Sequence, residues 1–160
     1  MKNQTPSLDL SHFPVMLNEI IEITSPSKGG SYIDCTFGGG SYSKELLKFP
    51  KTIVTGLDRD KTINVIAKKL KKEFPKRFKF YQIKFSQLDK VSKNNVDAVI
   101  FDLGLSSIQL KDMNRGFSFK SLKNLDMSMG LNKISAQEVV NNLSELDLKL
   151  IIKILGEEKE

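Results

Sequence analysis

Apolar residues change spacing several times along the first 104 positions, and the changes predict strands that alternate with helices. The β-rich runs are 31–37, 51–60, 78–83 and 96–104. The runs with helical spacing are 41–49 and 61–74, and Pro75 ends the second of them. Strands that alternate with helices form βαβ units, so the sequence predicts an α/β fold with a parallel, doubly wound sheet.

The alternation stops beyond the last strand run. Residues 105–134 are polar and aromatic without a convincing period, and loops of that length in compact domains are usually functional. Helices are expected to follow this loop. Ser135 and Glu138 have the spacing of a capping box, and Ser144 with Asp147 predicts a second helix that begins near residue 144.

Composition indicates the class of partner and the cellular compartment to expect. The 160 residues fit about one domain, and the net charge of +6 with a pI of 9.3 favours an acidic partner such as nucleic acid. The alternative explanation for the excess of positive charge is a compositional bias of the source towards lysine. Cys35 is the only cysteine, which excludes an intramolecular disulfide and suits a buried position in a reducing compartment. Neither a membrane-spanning run nor an apolar leader is visible, so a cytoplasmic location is expected.

A glycine-rich stretch, "TFGGGSYS" at 36–43, joins the first strand run to the first helix run. Gly38 and Gly40 begin a G-x-G-x-x-G pattern, but Ser43 occupies the position of its third glycine. Such a turn brings backbone amides and a helix N-terminus to a ligand, or it only packs the helix closely on the sheet.

Acidic residues at the predicted strand ends narrow the choice of ligand. Asp58 follows Gly40 by 18 residues, where an acid accepts hydrogen bonds from ribose hydroxyls. NAD and S-adenosylmethionine share that ribose, and Asp34 suits a cationic methionine group better than a pyrophosphate. The alternative for Asp58 is a solvated acid at a strand end.

A third acid lies in "FDLGLSS" at 101–107. A carboxylate that follows an apolar run is expected to face a cleft. Methyl transfer from a sulfonium to an amine needs in-line placement and acceptors for the N–H groups of the amine. Asp102, Ser106 and Ser107 are the candidates for that role.

Seven blocks, taken in order, resemble the family of ribosomal small-subunit RNA methyltransferase H, also called MraW. The blocks are "HFPVMLNE" (12–19), "DCTFGGGSYS" (34–43), "GLDRD" (56–60), "FDLGLSSIQL" (101–110), "RGFSF" (115–119), "LDM" (125–127) and "GEE" (156–158). The resemblance implies a class I, Rossmann-like methyltransferase that uses S-adenosylmethionine to methylate the N(4) amino group of a decoding-centre cytosine in 16S rRNA.

The resemblance also assigns site residues. The S-adenosylmethionine contacts it implies are Gly40, Ser41, Tyr42, Asp58, Phe85, Asp102 and Gln109. Phe85 would stack near the adenine, although the sequence alone favours a core aromatic there.

On the substrate side, the resemblance places His12 in a lid or wall and "RGFSF" beside the cleft. Arg115 would meet a phosphate, and Phe117 or Phe119 would stack on a splayed base. The alternative is a packed loop in which Arg115 ties down carbonyls. Ser128 stands where an arginine is common, which removes one partner for a phosphate.

Family members are about twice as long, so the chain resembles the N-terminal part of a methyltransferase domain. Its predicted segments are an N-terminal lid and helix (1–30), the cofactor-binding βαβ core (31–104), a substrate-side loop (105–134) and helices that lead to an insertion (135–160). The expected partners are 16S rRNA in the small ribosomal subunit and either a missing C-terminal half or a second copy. No membrane partner is expected.

Two alternatives to this function stay open. In the first, the chain is an inactive or scaffold remnant that binds cofactor or RNA without turnover. In the second, it is an oxidoreductase that uses NAD; Ser43 and the "DLGLSS" block disfavour this second alternative. No cluster of residues has metal-ligand spacing, so no metal is expected.

The lysine-rich run from Lys68 to Lys79 is most simply the solvent-exposed face of a helix. Contact with RNA is the other interpretation.

Overall fold

A computed structural model of the chain describes residues 14–92, 95–121, 123–131 and 134–158. The chain divides into two compact units, residues 1–108 and 109–160. His12 lies outside the described residues. No helix in the described part of the chain is both long and apolar enough to cross a membrane.

The first unit carries a sheet and the helices that connect its strands. Its strands are β1 (Gly30–Asp34), β2 (Thr52–Leu57), β3 (Phe78–Tyr81) and β4 (Ala98–Ile100). Its helices are α1 (Leu17–Thr24), α2 (Ser41–Leu47), α3 (Asn64–Glu73) and the start of α4 (Ser107–Lys111). The four strand runs and both helix runs that the sequence predicts are confirmed, and every strand is shorter than its run.

The sheet is parallel throughout, in the order β3-β2-β1-β4. The predicted parallel α/β architecture is therefore confirmed. Because the strands are parallel, their carboxyl ends lie at one edge of the sheet, which is where ligands bind in open α/β folds. Asp34 ends β1, Asp58 follows β2 directly, and Asp102 follows β4 after one further residue.

Alternating side chains of the strands build two apolar clusters, one on each face of the sheet. One face carries Tyr32, Val54 and Phe78, which pack with side chains of α2 and α3. The other face carries Ile33, Cys35 and Leu57, which pack against apolar side chains that follow β3 and precede β4: Ile83, Leu88, Val91 and Val96. Parallel strands need apolar cover on both faces, which explains why these runs are so apolar in sequence.

The second unit contains α5 (Ala136–Asn142) and α6 (Glu145–Leu155). The capping box of α5 is confirmed: the Glu138 N–H donates to Ser135 Oγ (3.1 Å) and the Ser135 N–H donates to Glu138 Oε2 (2.7 Å). The start of α6 is also confirmed, because Ser144 Oγ accepts from the Asp147 N–H at 3.2 Å.

Helix α4 is an element that the sequence analysis placed in a loop. It lies within 105–134, for which no period was found, and that part of the prediction is wrong. The helix has five residues. One and a half turns are too short to repeat an apolar pattern, so periodicity alone does not detect such a helix.

Candidate functional site

The glycine turn connects β1 to α2 at the carboxyl edge of the sheet. Gly40 is the N-cap residue of α2 and has a left-handed backbone with φ 76°. Its N–H donates to the Phe37 carbonyl at 2.7 Å, which closes the turn. The Gly38 N–H donates to Asp58 Oδ2 at 2.8 Å, so the turn is tied to the end of β2.

The glycines of this turn differ in how closely other atoms surround them. A Cβ on Gly40 would lie 2.7 Å from Phe37 Cζ, so a core ring excludes a side chain there. A Cβ on Gly38 or Gly39 would meet no atom closer than 3.7 Å or 3.9 Å. Close packing therefore explains Gly40, whereas the neighbours of Gly38 and Gly39 lie at ordinary van der Waals distance and do not exclude a Cβ.

Asp58 connects the turn to the next helical segment. Its Oδ2 accepts from the Gly38 N–H, and its Oδ1 accepts from the Asp60 N–H, both at 2.8 Å. Burial raises the pKa of Asp58, and these two backbone bonds oppose the rise. Each carboxylate oxygen has a second lone pair, so Asp58 can still accept hydrogen bonds from two neighbouring hydroxyl groups of a ligand. The interpretation of Asp58 as a merely solvated acid is not supported, because the carboxylate fixes two backbone segments.

Asp34 is the most deeply buried acid of the site. Its side chain is fully buried, Oδ2 accepts from Ser43 Oγ at 2.7 Å, and Oδ1 has no hydrogen-bond partner among the described residues. Burial raises the pKa of Asp34 to about 6, and the Ser43 hydrogen bond partly offsets this. Ser43, which the sequence analysis treated only as a missing glycine, therefore holds the carboxyl beneath the turn.

The neighbouring thiol has no part in this chemistry. Cys35 is buried, as the sequence predicts, and burial raises the pKa of its thiol to about 11. A thiol with that pKa carries almost no thiolate at neutral pH, so Cys35 is not a nucleophile.

Tyr42 connects α2 to two other parts of the first unit. Its hydroxyl donates to the Val15 carbonyl at 2.6 Å and lies 3.4 Å from Asp102 Oδ2. Burial, and then the Asp102 charge, raises the pKa of Tyr42 to about 12, so the hydroxyl stays protonated. The side chain of Tyr42 thus orients the site, whereas the sequence analysis assigned it only a cofactor contact.

Asp102 itself is exposed, and its backbone is fixed. The Asp102 N–H donates to Thr36 Oγ1 at 2.7 Å. Thr36 is a positioning residue that the sequence analysis missed, and its place in "DCTFGGG" gave no separate signal. Ser106 Cβ lies 4.0 Å from the position of a Cβ on Gly38, so Ser106 borders the turn, and Ser107 begins α4.

Phe85 lies at the same edge of the sheet, in the 3₁₀ segment Phe85–Lys90 that follows β3. Its side chain is 45% exposed, and its ring meets the edge of the Phe101 ring at a centroid distance of 5.7 Å. The expectation of a core aromatic, which the sequence alone favoured, is therefore wrong. Phe101, which follows β4, is an aromatic that the sequence analysis did not single out.

The remaining predicted residues belong to the second unit. Gln109 is buried and lies in α4. In the "RGFSF" loop, Arg115 donates from Nη2 to the Ser128 carbonyl at 2.7 Å, and its guanidinium lies 5.1 Å from the centre of the Phe117 ring. These contacts match the packed-loop alternative for Arg115. Phe119 is fully exposed.

The loop is closed by backbone bonds within the second unit. The Met127 N–H donates to the Arg115 carbonyl at 2.8 Å, and a Cβ on Gly116 would lie 3.0 Å from the Asp126 nitrogen. Since Gly116 has φ 74°, a glycine is required where the two blocks "RGFSF" and "LDM" meet. Among the described residues, no group of three or more His, Cys, Asp or Glu side chains is arranged to hold a metal ion.

Known proteins resemble this chain over most of its length. Residues 9–160 match the model of the MraW methylase family. A Rickettsia massiliae protein described as ribosomal RNA small subunit methyltransferase H is 42% identical over 149 residues, which cover 92% of this chain and 48% of that protein. An Anaplasma phagocytophilum protein with the same description is 42% identical over 156 residues, which cover 93% of this chain and 53% of that protein.

The chain spans about half the length of the curated relatives that it matches. Among solved structures, a Clostridium thermocellum protein described provisionally as an rRNA methylase superposes with a TM-score of 0.50 at 24% identity. That match covers 60% of this chain and 55% of the other. At that identity the likeness supports the fold.

Proposed function

The chain belongs to the MraW methylase family, and from this premise we propose that it binds S-adenosylmethionine and serves to methylate the N(4) amino group of a decoding-centre cytosine in 16S rRNA. The family supports a methyltransferase, and the names of the relatives support rRNA as the substrate. The cofactor, the target atom and the activity of this half-length chain are parts of the proposal.

One observation carries the cofactor assignment: the Asp58 carboxylate and the glycine turn are joined by the hydrogen bond from the Gly38 N–H. In this arrangement Asp58 accepts from the ribose hydroxyls, and because Gly38 and Gly39 carry no side chain, a ligand can approach their backbone closely. The buried carboxyl of Asp34 beneath the turn favours a cationic ligand over a pyrophosphate. S-adenosylmethionine fits these residues better than NAD and, when bound, supplies an electrophilic methyl group on its sulfonium.

Other predicted contacts to the cofactor lie at the same edge of the sheet in the first unit. The turn residues Gly40, Ser41 and Tyr42 open α2, and the exposed face of Phe85 offers a surface for the adenine. Gln109, in the second unit, stays a predicted cofactor contact.

The residues assigned to the methyl acceptor orient the cytosine amine by hydrogen bonds and do not act as a strong base. Asp102 is exposed, the Thr36 hydroxyl fixes its backbone, and the Tyr42 hydroxyl contacts its Oδ2, so Oδ1 is the atom we assign to accept an N–H of the cytosine amine. Ser106 and Ser107 are further acceptors. These hydrogen bonds orient the amino lone pair towards the methyl group, and a proton leaves to solvent after transfer.

Substrate-side roles stay predictions for the second unit. Phe119 presents a fully exposed ring, which suits stacking on an unpaired base. Phe117 and Arg115 are already engaged with each other, so we assign the base stacking to Phe119 and leave Arg115 to shape the loop. His12 is assigned to the substrate wall by family resemblance.

Titration calorimetry of the purified chain with S-adenosylmethionine tests the proposal, with Asp58→Asn as the variant. Loss of a charged hydrogen-bond acceptor is worth about 1.5–3 kcal/mol, so the Kd should rise about 10- to 150-fold. The matched control is Asp89→Asn, the same change at an exposed acid of the first unit, which should bind like the wild type.

Transfer of a radioactive methyl group to 30S subunits, with the product nucleoside identified, is the second measurement. Saturable binding with N(4)-methylcytidine formation supports the proposal in full. Binding without transfer would leave the cofactor-binding remnant as the function of this chain. A folded chain that binds no S-adenosylmethionine would refute the cofactor assignment.

A further inference from the structure

The positive charge of the chain is concentrated in one segment. Residues 61–79 contain eight of its 25 cationic residues and one of its 19 acids, so the segment carries +7 and the rest of the chain carries −1. A lysine bias of the source would raise lysine everywhere and would not confine the excess to 19 residues. The net charge of +6 therefore comes from one segment of the first unit.

Local structure explains two of these eight cations. Lys71 Nζ donates to the carbonyls of Pro75 (2.8 Å) and Phe78 (2.5 Å), which ties the end of α3 to β3. Arg77 donates to the Phe49 carbonyl at 2.9 Å and stacks on the Phe74 ring at 5.0 Å. Both side chains hold the fold together.

The other six cations have no such task. They are exposed, and none of them forms an ion pair with another described residue: Lys61, Lys68, Lys69, Lys72, Lys76 and Lys79. Helix α3 buries Ala67 and Leu70, so Lys68, Lys69 and Lys72 occupy neighbouring outward positions. Like charges at i and i+4 weaken a helix, so the local structure gains nothing from the pair Lys68 and Lys72.

We propose that the lysine face of the α3 segment, defined by the exposed residues Lys61, Lys68, Lys69 and Lys72, binds the phosphate backbone of RNA. Lysine ammonium groups spaced along a helix meet successive phosphates and release condensed counterions. From residue 61 to residue 72 the helical rise amounts to about 16 Å, enough to span several phosphates. The lysine face holds RNA by its phosphates, independently of nucleotide sequence, whereas Asp102 of the same unit is assigned to the target base.

The choice of RNA as the polyanion rests on the proposed function, because an acidic protein offers the same charge. The observations favour RNA, since the relatives are described as acting on ribosomal RNA. The proposal about the surface does not require cofactor or turnover. Its test therefore uses binding alone.

The experiment measures fluorescence anisotropy of a labelled 24-nucleotide RNA hairpin with the purified chain at several KCl concentrations. The variant is Lys68→Gln, Lys69→Gln and Lys72→Gln together, since glutamine keeps the helix propensity of lysine. The matched control removes the same charge from exposed positions of the first unit outside the lysine face: Lys28→Gln, Lys44→Gln and Lys51→Gln. Circular dichroism checks that both variants are folded.

We expect the lysine-face variant to weaken RNA binding at least tenfold at about 100 mM KCl. The slope of log Kobs against log salt should become shallower by about 2, which corresponds to the loss of two to three phosphate contacts. The control should stay within threefold of the wild type. Equal losses in both variants, no loss in either, or displacement of the RNA by polyglutamate at equal charge concentration would overturn the proposal.

Titration with S-adenosylmethionine separates this inference from the proposed function. The lysine-face variant should bind the cofactor as the wild type does, because none of its three changes touches the glycine turn or Asp58. A chain that binds RNA through these lysines and binds no cofactor would refute the proposed function and leave the lysine face standing.

Discussion

The buried carboxyl of Asp34 should make the stability of the first unit depend on pH in an unusual direction. Burial raises its pKa from 3.8 to about 6 in the folded chain. The folded state then binds more protons than the unfolded state between these two values, so this group loses its stabilising contribution as pH rises through that window. About two pH units at 1.36 kcal/mol each give a change of about 3 kcal/mol.

Asp34→Asn removes this titration and keeps an acceptor for the Ser43 hydroxyl. The absolute stability of the variant also depends on how its new amide is accommodated, so the informative quantity is the difference between variant and wild type. That difference should grow in favour of the variant by about 3 kcal/mol from pH 4 to pH 7. Other carboxyls, including Asp58 with its raised pKa, contribute to both proteins and largely cancel.

Urea unfolding at several pH values, followed by tyrosine fluorescence, measures this difference. The chain has no tryptophan, and its three tyrosines, Tyr32, Tyr42 and Tyr81, all lie in the first unit, so the signal reports that unit. Ser43→Ala provides a second variant: without its hydrogen bond the pKa of Asp34 should rise further, so the loss of stability should become larger and continue to higher pH. Parallel stability profiles for wild type and Asp34→Asn from pH 4 to pH 7 would refute the reasoning.

Two further substitutions test the local geometry. Gly40→Ala should destabilise the first unit by about 2–4 kcal/mol in the same urea assay, from left-handed strain and the clash with Phe37. Gly39→Ala has no such neighbour and should change stability by less than about 1 kcal/mol, so equal effects at the two positions would contradict the assignment. In the second unit, Ser135→Ala should remove about 1 kcal/mol from α5, seen as faster hydrogen exchange of its first-turn amides, and unchanged exchange would mean that the capping box does not stabilise the helix.

Strands and helix starts were predictable because their signals are local. The apolar runs of β1 to β4 reflect burial on both faces of a parallel sheet. The helix caps at Ser135 and Ser144 each depend on one partner residue three positions later in the sequence. The family could also be recognised, since its motif blocks are short and fixed in order.

The errors have a common physical origin in tertiary contacts. The exposure of Phe85 depends on where the chain turns after β3, and the role of Ser43 depends on its distance from a carboxyl nine residues earlier. Thr36 positions Asp102 across 66 residues of sequence. Neither periodicity nor spacing along the chain contains such information, so these residues emerge only once the sheet has formed.

The order of the strands also has a consequence for how the chain folds. Gly30 pairs with Thr52, 22 residues away, whereas Tyr32 pairs with Ala98, 66 residues away, and β4 has only three residues. Closing the longer loop costs about 1 kcal/mol more in chain entropy, and fewer ladder bonds compensate for it. We therefore expect β1, β2 and β3 to assemble first and β4 to join last and open most readily. Asp58 and the glycine turn would then be in place while the strand leading to Asp102 still fluctuates, so a cofactor could be captured before the acceptor side is complete.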